Sequence, residues 1–183
     1  PEQKFFDRIY GKKGWRALTI RSLSIGQGEI GVTPLQLANQ MAAIANGGYY
    51  ITPHINKHDS MQLPKHQIDI DAKYFDVVKK GMHRVMTNGT GRYYLIDGIE
   101  VAGKTGTAEN PHGKDHAVFI GYAPLENPQI AVAVVVENAG FGATWAAPIA
   151  SLMIEQYLTG EIKRKDLKNR IANAVINESV KIW

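Results

Sequence analysis

The stretch V-A-G-K-T-G-T-A-E, Val101 to Glu109, decides how this chain is read. Between Gly103 and Thr107 it sets one basic side chain, two hydroxyls and two glycines. In extended conformation successive side chains alternate faces. Lys104 and Gly106 then share one face, and Thr105 and Thr107 the other unless a bulge intervenes. A glycine inside a strand lets another group approach the backbone closely. An edge strand carrying an ammonium and neighbouring hydroxyls suits an extended ligand that ends in a carboxylate. Two apolar, β-branched runs follow, His116–Ala123 and Ile130–Glu137, with a loop at 110–115 and a Pro-containing link at 124–128. Residues 101–108 and these runs read as three sequential antiparallel strands. Val132–Val136 is apolar throughout, which predicts a strand covered on both faces.

Outward from this core, Ala147–Leu158 reads as an amphipathic helix ending at Gly160. Upstream, Thr33-Pro34 is an N-cap followed by Pro at the first helical position, and Gly47-Gly48 closes the helix that follows. Asp71 caps a second helix with Phe75, Val78, Met82, Val85 and Met86 as its stripe, stopping at Asn88-Gly89. Asp97-Gly98 is a turn signal, with Tyr93–Ile96 extended before it. Tyr49–Ile55 is read as extended, an edge strand or a short piece because of Pro53, residues 56–71 as surface loop, and Leu18–Ile25 as a short extended segment. Residues 1–16 carry no clear period. Leu167, Ile171 and Val175 lie at helical spacing in a short basic tail. The expected division is 1–160 for the main domain and 161–183 for that tail.

Composition is that of an ordinary globular chain: 183 residues, 44% hydrophobic and 21% charged. Of the net charge of +4, residues 161–183 hold +3. A basic tail on a near-neutral body argues against a nucleic-acid face. There is no cysteine, so disulfides and thiol catalysis are excluded. The longest strongly apolar run, Ile130–Val136, is too short to span a bilayer, and the chain is expected to be soluble.

Competing motifs are weaker. Gly98–Thr105 fits G-x4-G-K-[ST], but a phosphate loop needs a helix starting at the lysine, and I-E-V-A is β-forming. Gly26-Gln-Gly28-Glu-Ile-Gly31 fits G-x-G-x-x-G, yet Thr33-Pro34 starts the helix after the last glycine. His112 and His116 stand on a loop entering a strand, where a two-histidine metal site lacks its helix. Asn88-Gly-Thr90 is a formal glycosylation sequon of a kind that arises by chance.

Five segments in order carry a resemblance: L-S-I-G-Q-G (Leu23–Gly28), T-P-L-Q-L-A (Thr33–Ala38), Val101–Glu109, H-A-V-F-I-G-Y-A-P (His116–Pro124) and I-A-V-A-V-V-V-E-N (Ile130–Asn138). Residues 15–158 resemble the C-terminal half of the transpeptidase domain of class B penicillin-binding proteins, closest to the elongation type, penicillin-binding protein 2. The resemblance implies an α+β fold shared with serine β-lactamases, of which this chain holds the third to fifth strands. It makes Lys104 the lysine of K-[ST]-G. Thr105 and Thr107 would bind the carboxylate of a stem peptide or β-lactam, and the Thr107 N–H would form half of an oxyanion hole. Gly106 would keep the cleft open. No metal or cofactor is implied. The parent would be anchored in the inner membrane with its domain in the periplasm, among membrane partners of the elongation machinery.

The family acts through serine in S-x-x-K with a second S-x-[ND] motif. Serines stand here at 22, 24, 60, 151 and 179, and none begins either motif. The chain is therefore expected to be a segment carrying the K-T-G-T wall without the nucleophile, inactive alone. Two other readings stay open at this stage. One is a non-catalytic interaction or ligand-binding fragment that self-associates through an exposed sheet edge. The other is a nucleotide binder through Gly98–Thr105.

Overall fold

The computed structural model describes residues 2–56 and 63–176, arranged in two compact units, Pro1–Thr33 and Pro34–Trp183. The first unit holds α1 (Gln3–Tyr10) and α2 (Ala17–Ser24). Phe6 is buried and packs at a tilt against Trp15, whose indole N–H donates to Asp7 at 2.9 Å. The expected extended segment at Leu18–Ile25 is thus a helix. Its apolar residues alternate, but Leu18 and Ile20 are both exposed, so no buried face imposes a strand. The chain stops it instead: Gly26 has φ +77°, and the N–H groups of Gly26 and Gln27 donate to Leu23 and Ser22 carbonyls.

In the second unit α3 (Pro34–Ala45) ends as its sequence demands. Gly47 and Gly48, both with positive φ, return their N–H groups to the Ile44 and Ala43 carbonyls at 3.0 Å. β1 (Tyr49–Ile51) pairs antiparallel with β2 (Lys65–Gln67), a short strand inside the stretch read as loop. Residues 57–62 of that stretch lie outside the described residues. The Asp71 carboxylate caps α4 (Ala72–Thr87), accepting from the Lys73 N–H at 3.1 Å. Tyr93–Ile96 is not extended. A 3-10 turn occupies Arg92–Tyr94, and Ile96 then bridges Ile99 around Asp97-Gly98.

Three strands follow in sequential antiparallel order: β3 (Ala102–Ala108), β4 (His116–Ala123) and β5 (Ile130–Val136). Helices α5 (Ala146–Thr159) and α6 (Lys165–Ala172) complete the unit. Each face of the sheet has its own core. On one, Phe119, Val132 and Val134 pack with Ala146, Ala150 and Ile154 of α5. On the other, Ala102 and Tyr122 pack with Met41 and Ala45 of α3. Helix α4 runs along β3 and contributes Met82 to the second core and Met86 to the first. The expected two-sided cover of Val132–Val136 fails at one position: Val135 is 37% exposed. The antiparallel sheet packed with helices is the α+β architecture expected.

Candidate active-site strand

The register of β3 on β4 runs without a break from Ala102↔Tyr122 to Ala108↔His116. No bulge intervenes, so Lys104 and Gly106 share one face and Thr105 and Thr107 the other. Lys104 is exposed, and its Nζ folds back to donate to the Thr105 carbonyl at 2.6 Å. Thr105 is buried, 9% exposed, with its hydroxyl 2.6 Å from the hydroxyl of Thr90. Gly106 is half-buried and Thr107 exposed. The strand continues through Lys104 to Ala108, so the helix that a phosphate loop requires does not begin there.

Close approach to the Gly106 backbone is made within the chain, by Gly142. A Cβ on Gly142 would lie 2.2 Å from the Gly106 oxygen and 2.3 Å from the Val118 oxygen. Gly103 is held bare for a different reason, because the Phe119 ring would stand 2.3 Å from its Cβ.

The loop after β3 is tied to the loop after β5. The Asn110 side-chain N–H donates to Asn138 Oδ1 at 2.6 Å, and the Gly140 N–H donates to the Asp115 carbonyl at 2.7 Å. His116 is part of this knot, its Nδ1 accepting from the Asn138 N–H at 3.1 Å, while His112 sits on the exposed loop. Among the described residues no group of three His, Cys, Asp or Glu side chains could hold a metal ion.

Thr90 and Arg164 are among the residues outside the quoted stretch that reach it or its flank. Thr90 does so through Thr105. Arg164 stands just before α6. Its guanidinium pairs with the buried Glu155 at 3.0 Å and donates to the carbonyls of Ser151 at 2.9 Å and Leu95 at 3.2 Å. It thereby fastens the tail to the connector that leads into β3. Neither was legible beforehand. The only hint was Glu155, one acid inside the apolar run of α5.

The model of the penicillin-binding protein transpeptidase domain matches residues 6–155. Peptidoglycan D,D-transpeptidase MrdA of Haemophilus influenzae is 34% identical, over 92% of this chain and 30% of its own length. The chain thus spans about a third of the length of the curated relatives it matches. Among solved structures, Pseudomonas aeruginosa PBP2 in complex with WCK 5153 superposes with TM-score 0.71 at 33% identity, covering 90% of this chain and 38% of that one. PBP2 of Helicobacter pylori, solved in complex with MreC, superposes with TM-score 0.75 at 25% identity, covering 87% and 31%.

Proposed function

The chain belongs to the penicillin-binding protein transpeptidase family, and on that footing we propose that it forms one wall of a D,D-transpeptidase site that cross-links peptidoglycan. The observation that carries the reading is the setting of Lys104–Thr107 on an edge strand in unbroken register. No described strand pairs with its outer side.

In this reading a serine from outside these 183 residues is the nucleophile. Its oxygen adds to the carbonyl carbon of the terminal D-Ala-D-Ala bond, and D-alanine leaves with a proton. An acceptor amine then opens the ester, forming the new amide and returning a proton to the serine. Lys104 lines the site beside that serine. The Thr105 and Thr107 hydroxyls bind the substrate carboxylate, and Gly106 leaves the cleft open. The Thr107 N–H faces the oxyanion, where a preorganised donor is worth most. Residues 1–160 belong to the C-terminal half of the transpeptidase domain, and 161–183 form its basic tail. Stem peptides and β-lactams are the ligands, and membrane proteins of the elongation machinery are the partners. The site works in the periplasm, on a protein anchored in the inner membrane. Among the described residues of this chain no helix is long and apolar enough to cross a membrane.

A fluorescent penicillin tests the reading. The longer protein that contains this chain takes a stoichiometric covalent label, lost when its serine is replaced by alanine, and the isolated chain takes none. An unlabelled longer protein would overturn the assignment.

A second reading, self-association, is favoured by one observation. No described strand pairs with the outer edge of β5. An apolar hollow of about 480 Å³, lined by Ile130, Ile149, Leu152, Met153 and Ile171 among others, opens beside the start of the same strand. Bare strand edges template pairing with another chain.

A further inference from the structure

The sequon residue Thr90 has a use that the transpeptidase reading leaves unassigned. It sits in Gly89-Thr90-Gly91, just past the end of α4. The turn is fixed tightly. The N–H groups of Gly89 and Gly91 donate to the same acceptor, the Val85 carbonyl, at 3.1 and 3.0 Å. A Cβ on Gly89 would stand 2.9 Å from the Val85 backbone, and one on Gly91 would stand 2.5 Å from Met86 Sδ. Glycine on both sides therefore lets the turn lie flat on the helix end and holds Thr90 with its hydroxyl 2.6 Å from that of Thr105.

The direction of that bond follows from the ligand. A hydroxyl carries one hydrogen, and an ionised carboxylate only accepts. If Thr105 is to donate to a carboxylate, its oxygen can only accept from Thr90. Among the described residues these hydroxyls have only each other as side-chain partners. Donation from Thr90 thus leaves the single Thr105 hydrogen for the ligand and polarises it, because chained hydrogen bonds strengthen one another.

We propose that Thr90 is a positioning residue of the carboxylate subsite: it donates to Thr105 and so commits the Thr105 hydroxyl to the carboxylate of the stem peptide or β-lactam. This rests on the transpeptidase reading.

The test is a double-mutant cycle in the longer protein, reading the second-order rate of acylation by penicillin G, with melting temperatures to verify folding. Thr90→Val keeps the shape and removes the donor. It should slow acylation about tenfold, the scale of one charge-assisted hydrogen bond lost from a transition state. Thr90→Ser keeps the hydroxyl and should restore the rate to within about threefold, a fraction of a hydrogen bond. Thr105→Val should be slow as well, and adding Thr90→Val to it should slow it no further, because a residue acting through a partner is silent once the partner is gone. An unchanged rate in Thr90→Val would overturn the proposal, as would losses that multiply in the double variant. If Thr90→Val melts early, Thr90→Ala takes its place in the same cycle. A wild-type protein that is not acylated at all would instead sink the transpeptidase reading, and this inference with it.

Discussion

Tyr122 shows how much a single side chain can carry. It is fully buried between Ala102 and the residues of α3, and its hydroxyl has no hydrogen-bond partner among the described residues. Removing that orphan oxygen in Tyr122→Phe should raise stability by about 1 kcal/mol, since a buried polar group without a partner is a net cost. A denaturant titration of the two proteins at neutral pH checks this. Burial first, and the charge of Glu126 second, push the phenol up to about 12 from its ordinary 10.0. Between those values the unfolded chain has lost the proton and the folded one keeps it. Stability therefore falls as pH rises through that window. Tyr122→Phe should flatten that part of the curve. The sequence made residues 116–123 a strand, but alternation alone could not say which face would carry an orphan hydroxyl. Gly106 is a similar case. The K-T-G-T run points to close approach at Gly106, but the glycine that this approach requires is Gly142, beyond the next two strands, since a Cβ on Gly106 would meet only Val118, at 3.4 Å.

At the scale of elements, the tail is held by a buried charge pair. Glu155 is 3% exposed, and it accepts both from Arg164 at 3.0 Å and from the Lys163 N–H at 3.1 Å. Arg164→Met would strand that carboxylate in the core, at a cost of about 3 kcal/mol. The double variant Arg164→Met/Glu155→Met should recover most of the loss, because two apolar side chains can replace a buried pair with little penalty. Thermal unfolding of the single and double variants measures both. The tail's apolar residues lie at helical spacing, and most of α6 is solvated, but Arg164, which anchors it, is half-buried. What made elements legible was length with punctuation. Helices α3 and α4 have caps, glycine stops and several turns of stripe, and the three long strands are rich in β-branched residues. Helices α1 and α2 run for eight residues each, only about two turns, too few for a period to show. The Arg92–Tyr94 turn is shorter still.

For the molecule as a whole, the K-T-G-T strand was legible because the motif falls within a single strand. Its support was not, since Thr90, Gly142 and Arg164 come together with it only through the fold. Among the described residues the sheet keeps two unpaired edges, and that of β5 is the more apolar. The isolated chain should form a concentration-dependent dimer in analytical ultracentrifugation. Val135→Lys, at the exposed position of β5, should return it to monomer, since lysine on an edge strand opposes pairing. A wild-type chain that stays monomeric across the range would count against the edge. The continuous ladder from β3 through β4 to β5 also bears on the order in which structure is acquired. Each strand pairs with its immediate successor across a short loop, whereas Arg164 reaches back 69 residues to Leu95. Closing short loops costs less chain entropy than closing long ones, and local pairings form sooner. Pulse-labelled hydrogen exchange during refolding should find the amides of 102–136 protected before those of α6. β3 would then belong to the earliest-formed part of its unit, with α6 fastened to it last.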